Sequence, residues 1–461
     1  MVQEVNLDPV IFREYDIRGI IQDTLSTGVA NAIGKAFGSI VSDMNLRTVA
    51  VGWDGRLSSP EISTALVNGL VSTGVTVYTV GLGPSPMLYF SAHTMPVDSA
   101  VMVTGSHNPP DYNGFKFVLQ NEPFFGEDIQ RLRSVAAAGD FAQGQGKITE
   151  SNQLENYVAR VLEDYKSTRG LRVAWDPGNG STGDAVQLLT KKLPGKHFII
   201  NGQINGNFPS HHPDPTVPKN LEQLIKLVLE KKCDVGFSFD GDGDRIGVVD
   251  SRGRIIWGDQ LLIILASEIL KEQPGSPILC DVKASRAFFN SIREMGGEAV
   301  MWKTGHSHIK AKMKEINAPL AGEMSAHIFF KHRYYGYDDA LYTAVRVLSL
   351  LINQEESLAQ KIDHLPKWNS TPEIRFYCSE AQKFEVVRRI ADQVKKVKNI
   401  NFCDIDGIRV EMENGWWLVR ASNTQPALVA RCEAINENEL KKLKGELENY
   451  LLQNGIKPPK M

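Results

Sequence analysis

The sequence predicts an α/β protein: three related mixed α/β domains followed by a smaller C-terminal α+β domain. Three observations carry that expectation. Short apolar runs at 48–52, 99–104, 171–175, 235–239, 246–250 and 277–280 alternate with stretches such as 60–73 and 220–232, where apolar residues recur every three or four positions. Strands alternating with helices build α/β layers. Three of the apolar runs end alike, in V-A-V-G-W-Asp54-G-R, R-V-A-W-Asp176-P-G-N-G and I-L-C-Asp281-V-K-A-S-R, and each is followed by a second run that ends in a polar loop. Finally, 461 residues leave room for roughly three or four domains of ~100–200 residues.

In chain order, the first unit (1–150) carries the loop T-G-Ser106-H-N-P-P, the second (151–254) carries F-Asp240-G-D-G-D-R, and the third (255–366) carries A-G-Glu323-M-S-A-H. Ligand loops in such sheets sit at the carboxyl ends of strands, so each domain is expected to deliver one functional loop. After Pro366 the texture changes. A strand-like T-P-E-I-R-F-Y-C, a helix, the G-W-W-L-V-R run and an amphipathic helix over 437–452 make up a separate unit, 367–461.

Composition narrows the function. The chain is 42% hydrophobic and 23% charged, as globular proteins are. Its 51 Lys and Arg stand against 54 Asp and Glu, a formal charge of -3. No basic excess exists to bind a phosphate backbone, so no nucleic-acid partner is expected, and any functional cations must be gathered locally in a cleft. Cys233, Cys280, Cys378, Cys403 and Cys432 are scattered without a C-x-x-C, which speaks against a disulfide framework or a zinc site and for a reducing cytoplasm. The N-terminal stretch carries acids and no apolar core of a signal peptide. The greasiest run, 261–270, holds Ser267 and Glu268 and falls short of the ~20 residues that span a bilayer. A soluble, cytoplasmic protein with no membrane partner is expected.

The strongest chemical signal is Asp240-Gly-Asp242-Gly-Asp244-Arg245 between two apolar runs. Carboxylates this close repel one another, and holding them together needs a cation. Hard oxygen ligands suit Mg²⁺. An EF-hand is excluded because Arg245 and Ser251 stand where its glycine and its final glutamate belong. The second signal is the loop at Ser106 and His107, from which the chain returns as F-Lys116-F-V; Asn108-Pro-Pro and Asn113-Gly114 read as turns. In that strand Lys116 faces away from Phe115 and Phe117. A serine nucleophile needs a base and charge stabilisation. No G-x-S-x-G elbow surrounds Ser106, so acyl transfer is not favoured, whereas serine, Mg²⁺ and lysine together make a phosphoryl-transfer set. The third loop offers Glu323, Ser325 and His327 to sugar hydroxyls, with His306 on a nearby glycine turn. The fourth, Arg420-Ala-Ser422-Asn423-Thr424, can bind a phosphate through charge-assisted bonds. Neither a P-loop nor a dinucleotide-binding glycine motif is present.

These four loops, in this order and with Phe12-Arg-Glu-Tyr-Asp-Ile-Arg-Gly19 ahead of them, resemble the α-D-phosphohexomutase family, and within it the bacterial phosphomannomutase/phosphoglucomutase branch. The resemblance covers essentially the whole chain. It implies four domains around a central cleft and a set of residue roles. Ser106 would be the phosphoserine, and Asp240, Asp242 and Asp244 would hold Mg²⁺ together with an oxygen of that phosphate. Tyr15, Arg18, His107, Lys116, Arg245, Lys283 and His306 match other active-site positions, with Lys116 and His306 the candidates for general acid and base. Glu323, Ser325 and His327 match the sugar-recognition loop, and Arg420, Ser422, Asn423 and Thr424 the phosphate site of the last domain. Met324 stands where glucosamine-phosphate mutases tend to carry Gln, Ala326 where Gly is common, and Trp53 where many members carry Arg.

The activity implied is reversible conversion of hexose 1-phosphate and hexose 6-phosphate, for mannose and glucose, through a phosphoserine enzyme and a hexose 1,6-bisphosphate. Glucose 1,6-bisphosphate is the expected activator, a monomer the expected state, and hexose phosphates the expected partners. A phosphoglucosamine mutase is the near alternative. A metal-dependent sugar phosphatase is the more distant one, and the Glu323 and Arg420 loops speak against it because hydrolysis needs no second anchored phosphate.

Overall fold

The computed structural model describes residues 7–423 and 425–459. Three of its sheets repeat one topology. In the first, the strand Thr48–Trp53 lies between Thr76–Leu82 and Ser99–Val103, all parallel, and Tyr112–Leu119 returns antiparallel to Ser99–Val103. In the second, Leu171–Asp176 lies between Gly195–Ile199 and Val235–Phe239, and Ile246–Asp250 returns antiparallel. In the third, Pro277–Asp281 lies between Glu298–Trp302 and Leu320–Gly322, and Ile328–Phe330 returns antiparallel. The runs that end in Asp54, Asp176 and Asp281 are thus the central strands, and the neighbours that end in Ser106, Asp240 and Glu323 lie beside them. Parallel neighbours put both loops at the same sheet edge, which is how three domains each present one polar loop to a common space.

Burial explains why the runs are strands. Val235–Phe239 and Ile246–Asp250 are buried at every position, as strands covered on both faces must be. In the first domain Phe37 packs on Phe117 and Phe124, and Phe115 on Phe117, which turns Lys116 to the opposite face of Tyr112–Leu119. The greasy run at 261–270 lies in the helix Gly258–Glu272, buried in a core to which the first, second and third domains all contribute. None of the helices among the described residues is long and apolar enough to cross a membrane, and the five cysteines are free thiols.

One turn expected from sequence is not a turn. Asn113-Gly114 lies inside the strand Tyr112–Leu119, paired with Arg18 and Gly19 of Ile17–Ile20. Glycine is needed there for approach and not for bending, since a Cβ on Gly114 would sit 1.9 Å from the Ile17 carbonyl oxygen.

The C-terminal sheet runs Asn369–Ser370, Ala427–Ala434, Gly415–Ala421, Ile408–Met412, Asn401–Cys403, with Ile374–Tyr377 also on Ala427–Ala434. Period-two alternation splits its central strand. Trp417 and Val419 face the core formed with the helices Lys383–Val394 and Glu437–Gln453, while Trp416 and Leu418 pack with Val282 of the third domain. Arginines lock that contact from both sides. Buried Arg409 donates to the Val282 and Ala284 carbonyls at 2.8 and 2.7 Å, and Arg286 reaches back to Glu411 and the Met412 and Gly415 carbonyls.

Candidate active site

Ser106 follows the strand Ser99–Val103 and is 2% exposed. Its Oγ lies 3.2 Å from His107 Nδ1 and 3.4 Å from Asp240 Oδ2. Beneath it Asp240, Asp242 and Asp244 are wholly buried, with oxygens within 4.8 Å of one another. Lys116 Nζ bridges Asp242 and Asp244 at 2.6 and 2.5 Å, and Ser85 Oγ donates to Asp242 at 2.5 Å. One oxygen each of Asp242 and Asp244 is buried without a hydrogen-bond partner. Buried carboxylate oxygens without donors are costly unless a cation takes them. The donor set, all carboxylate, therefore fits a hard divalent metal ion.

The charges interlock. Burial raises Asp240 well above the ordinary carboxylate range, and Asp244 and Asp242 add to it. Burial works against charge on Lys116 too, but Asp242 and Asp244 outweigh it and hold the ammonium well above its usual value. Burial drives His306 and His107 well below the usual imidazole value, with neighbouring cations adding to the effect. His327 Nε2 accepts from Arg245 Nε at 3.0 Å, and its Nδ1 lies 2.9 Å from Asp338 Oδ2. Asp244, His327 and Asp338 form a second buried group of close ligand atoms beside the three aspartates. The His306 and His327 rings stack at 5.7 Å.

A cleft of about 280 Å³ opens above this floor. Tyr15, Arg18, His107, Arg245, Lys283, His306, Glu323, Ser325, His327, Arg420, Ser422 and Asn423 all line it. Ser106, Lys116 and the three aspartates lie under it. Thr424 lies outside the described residues. Arg13, Arg18, Arg245, Lys283, Arg375 and Arg420 gather around one opening in a chain of net charge -3, as an anion-binding cleft requires. Arg420 is held by Asp406, which also accepts from the Thr304 amide at 3.0 Å. Glu323 Oε1 accepts from the Gly305 amide at 2.6 Å. Ala326, next to that loop, has φ +71, so the common glycine is replaced here by a residue in the left-handed region.

The last domain is drawn over the cleft. Asn423 donates to the Tyr15 hydroxyl, which itself donates to the Thr304 carbonyl at 2.8 Å, and Arg13 pairs with Glu380. Lys283 spans the third and last domains, 3.4 Å from Asp281 and 3.0 Å from Glu373. Burial pushes the Glu373 carboxyl up, yet Lys283 and Arg375 carry it down to about 2. A depressed carboxyl contributes stability above its unfolded value near 4.5, lost as pH falls from there towards 2. Acid is therefore expected to loosen the last domain over that window, and Glu373→Gln to remove this part of the pH dependence. Domain-resolved hydrogen exchange between pH 5 and 3 checks it.

Sequence reasoning missed several site residues. Arg13, Asn108, Tyr112, Thr304, Arg375 and Gln425 also line the cleft, and Ser85 and Asp338 support its floor. Arg13 stood in the quoted F-R-E-Y-D segment and Arg375 in T-P-E-I-R-F; Ser85 and Asp338 had no local signal.

Comparison with known proteins adds identity of descent. Residues 9–143, 155–253 and 257–368 match the phosphoglucomutase/phosphomannomutase alpha/beta/alpha domains I, II and III, and 373–449 match the C-terminal domain of the same family. A phosphomannomutase/phosphoglucomutase of Pseudomonas aeruginosa is 44% identical over 441 residues, 96% of this chain and 95% of that protein. A phosphoglucomutase of Neisseria gonorrhoeae is 40% identical over 96% of this chain and 97% of its own. The crystal structure of a phosphoglucomutase/phosphomannomutase family protein from Burkholderia thailandensis superposes with a TM-score of 0.93 at 41% identity, covering 98% of this chain and 99% of that one.

Proposed function

Because the chain belongs to the phosphoglucomutase/phosphomannomutase family, we propose a residue-level account of how it interconverts hexose 1-phosphates and hexose 6-phosphates of glucose and mannose. Ser106 carries the phosphoryl group, gives it to the free O6 or O1 of a sugar monophosphate, and recovers the other phosphate after the bisphosphate turns end for end. The observation that carries this reading is a two-pole site. Ser106 sits beside three buried carboxylates at the floor, and a second set of cations ending in Arg420 faces it across the cleft. A hydrolase has no use for the second pole.

Asp240, Asp242 and Asp244 would hold Mg²⁺, which when bound supplies neutralisation of charge on the transferring phosphoryl group. Lys116 and Arg245 add fixed positive charge there. Lys116, one of two candidates for proton transfer from sequence, pairs with Asp242 and Asp244, and His306 is the other. We assign proton transfer at the sugar hydroxyl to the imidazole of His306, which lines the cleft and whose Nε2 is buried without a partner. Glu323 and Ser325 grip the sugar hydroxyls. If they take O3 and O4, epimers at C2 are treated alike, which accounts for acting on both glucose and mannose. Arg420, Ser422 and Asn423, with Thr424, hold the phosphate that does not react, and closure of the last domain keeps water from the phosphoserine.

In the same reading the units divide at 150, 254 and 366, the enzyme is a cytoplasmic monomer, and glucose 1,6-bisphosphate primes it. The test is a coupled assay with glucose 1-phosphate and mannose 1-phosphate, each with Mg²⁺ and a trace of glucose 1,6-bisphosphate, with free phosphate followed in parallel. Both 6-phosphates are expected, without stoichiometric free phosphate. Free phosphate alone would mean a phosphatase, and turnover of glucosamine phosphate in preference to both sugars would mean a phosphoglucosamine mutase.

A further inference from the structure

We propose that Arg56 is a positioning residue for the phosphoryl-carrying serine, its guanidinium holding the Ser106 backbone in the conformation that sets the hydroxyl against the metal loop. The proposal rests on Ser106 being the carrier. Arg56 belongs to the V-A-V-G-W-Asp54-G-R run at the end of the strand Thr48–Trp53. It is 1% exposed and does not reach the cleft. A guanidinium has five N–H donors, and all five are used here. Nη2 donates to the carbonyls of Ser106 and Asn108, both at 2.7 Å. Nη1 donates to those of Pro109 and Tyr112, at 2.5 and 3.0 Å. Nε donates to Asp54 Oδ2 at 3.2 Å. Asp54 in turn accepts from Thr104 Oγ1 at 2.7 Å and from the Gly105 amide at 3.3 Å. The whole loop from 104 to 112 is thus wrapped around one buried ion pair.

That wrapping answers a need. Ser106 has φ +51, a left-handed conformation that is strained for an L-residue and persists only where its surroundings over-determine it. The loop lies so close to the guanidinium that a Cβ on Gly105 would fall 2.6 Å from Arg56 Cζ. On its other side the Ser106 carbonyl faces Gly241 of the metal loop, where a Cβ would fall 2.4 Å from the oxygen. The carbonyl is therefore caught between Arg56 and the metal loop, and this fixes the separation of the serine from the carboxylates. The outer side is closed by the second domain, with the Phe208 ring 5.2 Å from Arg56 Cζ. The related turn in the third domain, Asp281-Val-Lys283, sends its basic residue into the cleft instead.

A lysine keeps the charge but has no planar fork to serve four carbonyls at once. Arg56→Lys and Arg56→Ala test the proposal, with glucose 1-phosphate, Mg²⁺ and a trace of glucose 1,6-bisphosphate. In Arg56→Lys kcat is expected to fall about 10²-fold, the order expected from an ångström of misplacement. KM for glucose 1-phosphate should stay within about threefold, because the cations that hold the substrate phosphate are untouched. In Arg56→Ala the loss should be larger and partly restored by low, non-denaturing guanidinium but not by ammonium, a rescue that a merely structural role would not give. Should Arg56→Ala fail to fold, Arg56→Lys decides by the split between kcat and KM. Wild-type kcat in a folded Arg56→Lys, or a rise in KM that accounts for the whole loss, overturns the proposal. Wild-type enzyme exposed to labelled glucose 1,6-bisphosphate runs alongside. If it takes no label on Ser106, the carrier assignment fails and the proposal with it; label on Ser106 beside an unimpaired Arg56→Lys counts against Arg56 alone.

Discussion

Ser106→Ala is expected to lower turnover of glucose 1-phosphate by at least about 10³-fold, the scale seen when a covalent nucleophile is removed, while the sugar phosphate still binds within a few-fold of wild type. The asymmetry follows from where the groups lie. The hydroxyl is at the floor, 3.4 Å from Asp240 Oδ2. The groups proposed to hold substrate, Lys283, Glu323, Arg420 and Asn423, line the cleft above it. Alanine leaves those groups and the metal loop in place and removes only the atom that accepts the phosphoryl group. The loop should survive the change, since the contacts that hold it run to the Ser106 carbonyl and amide. Calorimetry with glucose 1-phosphate and a coupled rate on the same preparation check both halves. A variant that loses binding together with turnover would place Ser106 in the substrate site instead.

Removal of divalent metal is expected to be comparably severe and to show in stability as well as rate. Without a cation, two of the three wholly buried carboxylates share one lysine, and one oxygen each of Asp242 and Asp244 has no donor. Chelation should abolish turnover to within about 0.1% of the starting rate, and added Mg²⁺ should restore it, because charge neutralisation is most of what phosphoryl transfer asks of a protein. Metal at a hundredfold excess over its dissociation constant should stabilise the fold by about 2.7 kcal/mol, read as a rise in the thermal midpoint that needs no substrate. Asp242→Asn should lose most of that rise. An unchanged midpoint with and without Mg²⁺ would mean that Lys116 alone satisfies the aspartates.

What the sequence made legible is what short-range pattern controls. The apolar runs before Asp54, Asp176 and Asp281 are the central strands of their sheets, because a run covered on both faces must be apolar throughout. Glycine-spaced aspartates at 240–244 converge as their spacing requires. The misses depend on contacts far apart in the chain. Asn113-Gly114 reads as a turn until the strand Ile17–Ile20 is laid against it. That Asp242 and Asp244, more than a hundred residues on, pair with Lys116 is likewise invisible locally. Arg56 looks like one surface arginine among many, and nothing local reveals that carbonyls some fifty residues later close around it. Its burial was not predictable from a D-G-R turn, where the same spacing in the third domain yields a cleft lysine.

The most direct test of the central claim is a single turnover of enzyme carrying labelled phosphate on Ser106 with unlabelled glucose 1-phosphate, quenched at successive times. The account predicts that label leaves the enzyme, passes through glucose 1,6-bisphosphate and ends in glucose 6-phosphate, while Ser106 is left phosphorylated by unlabelled phosphate from the substrate. Label released as inorganic phosphate, or retained on the protein while glucose 6-phosphate forms, would contradict it.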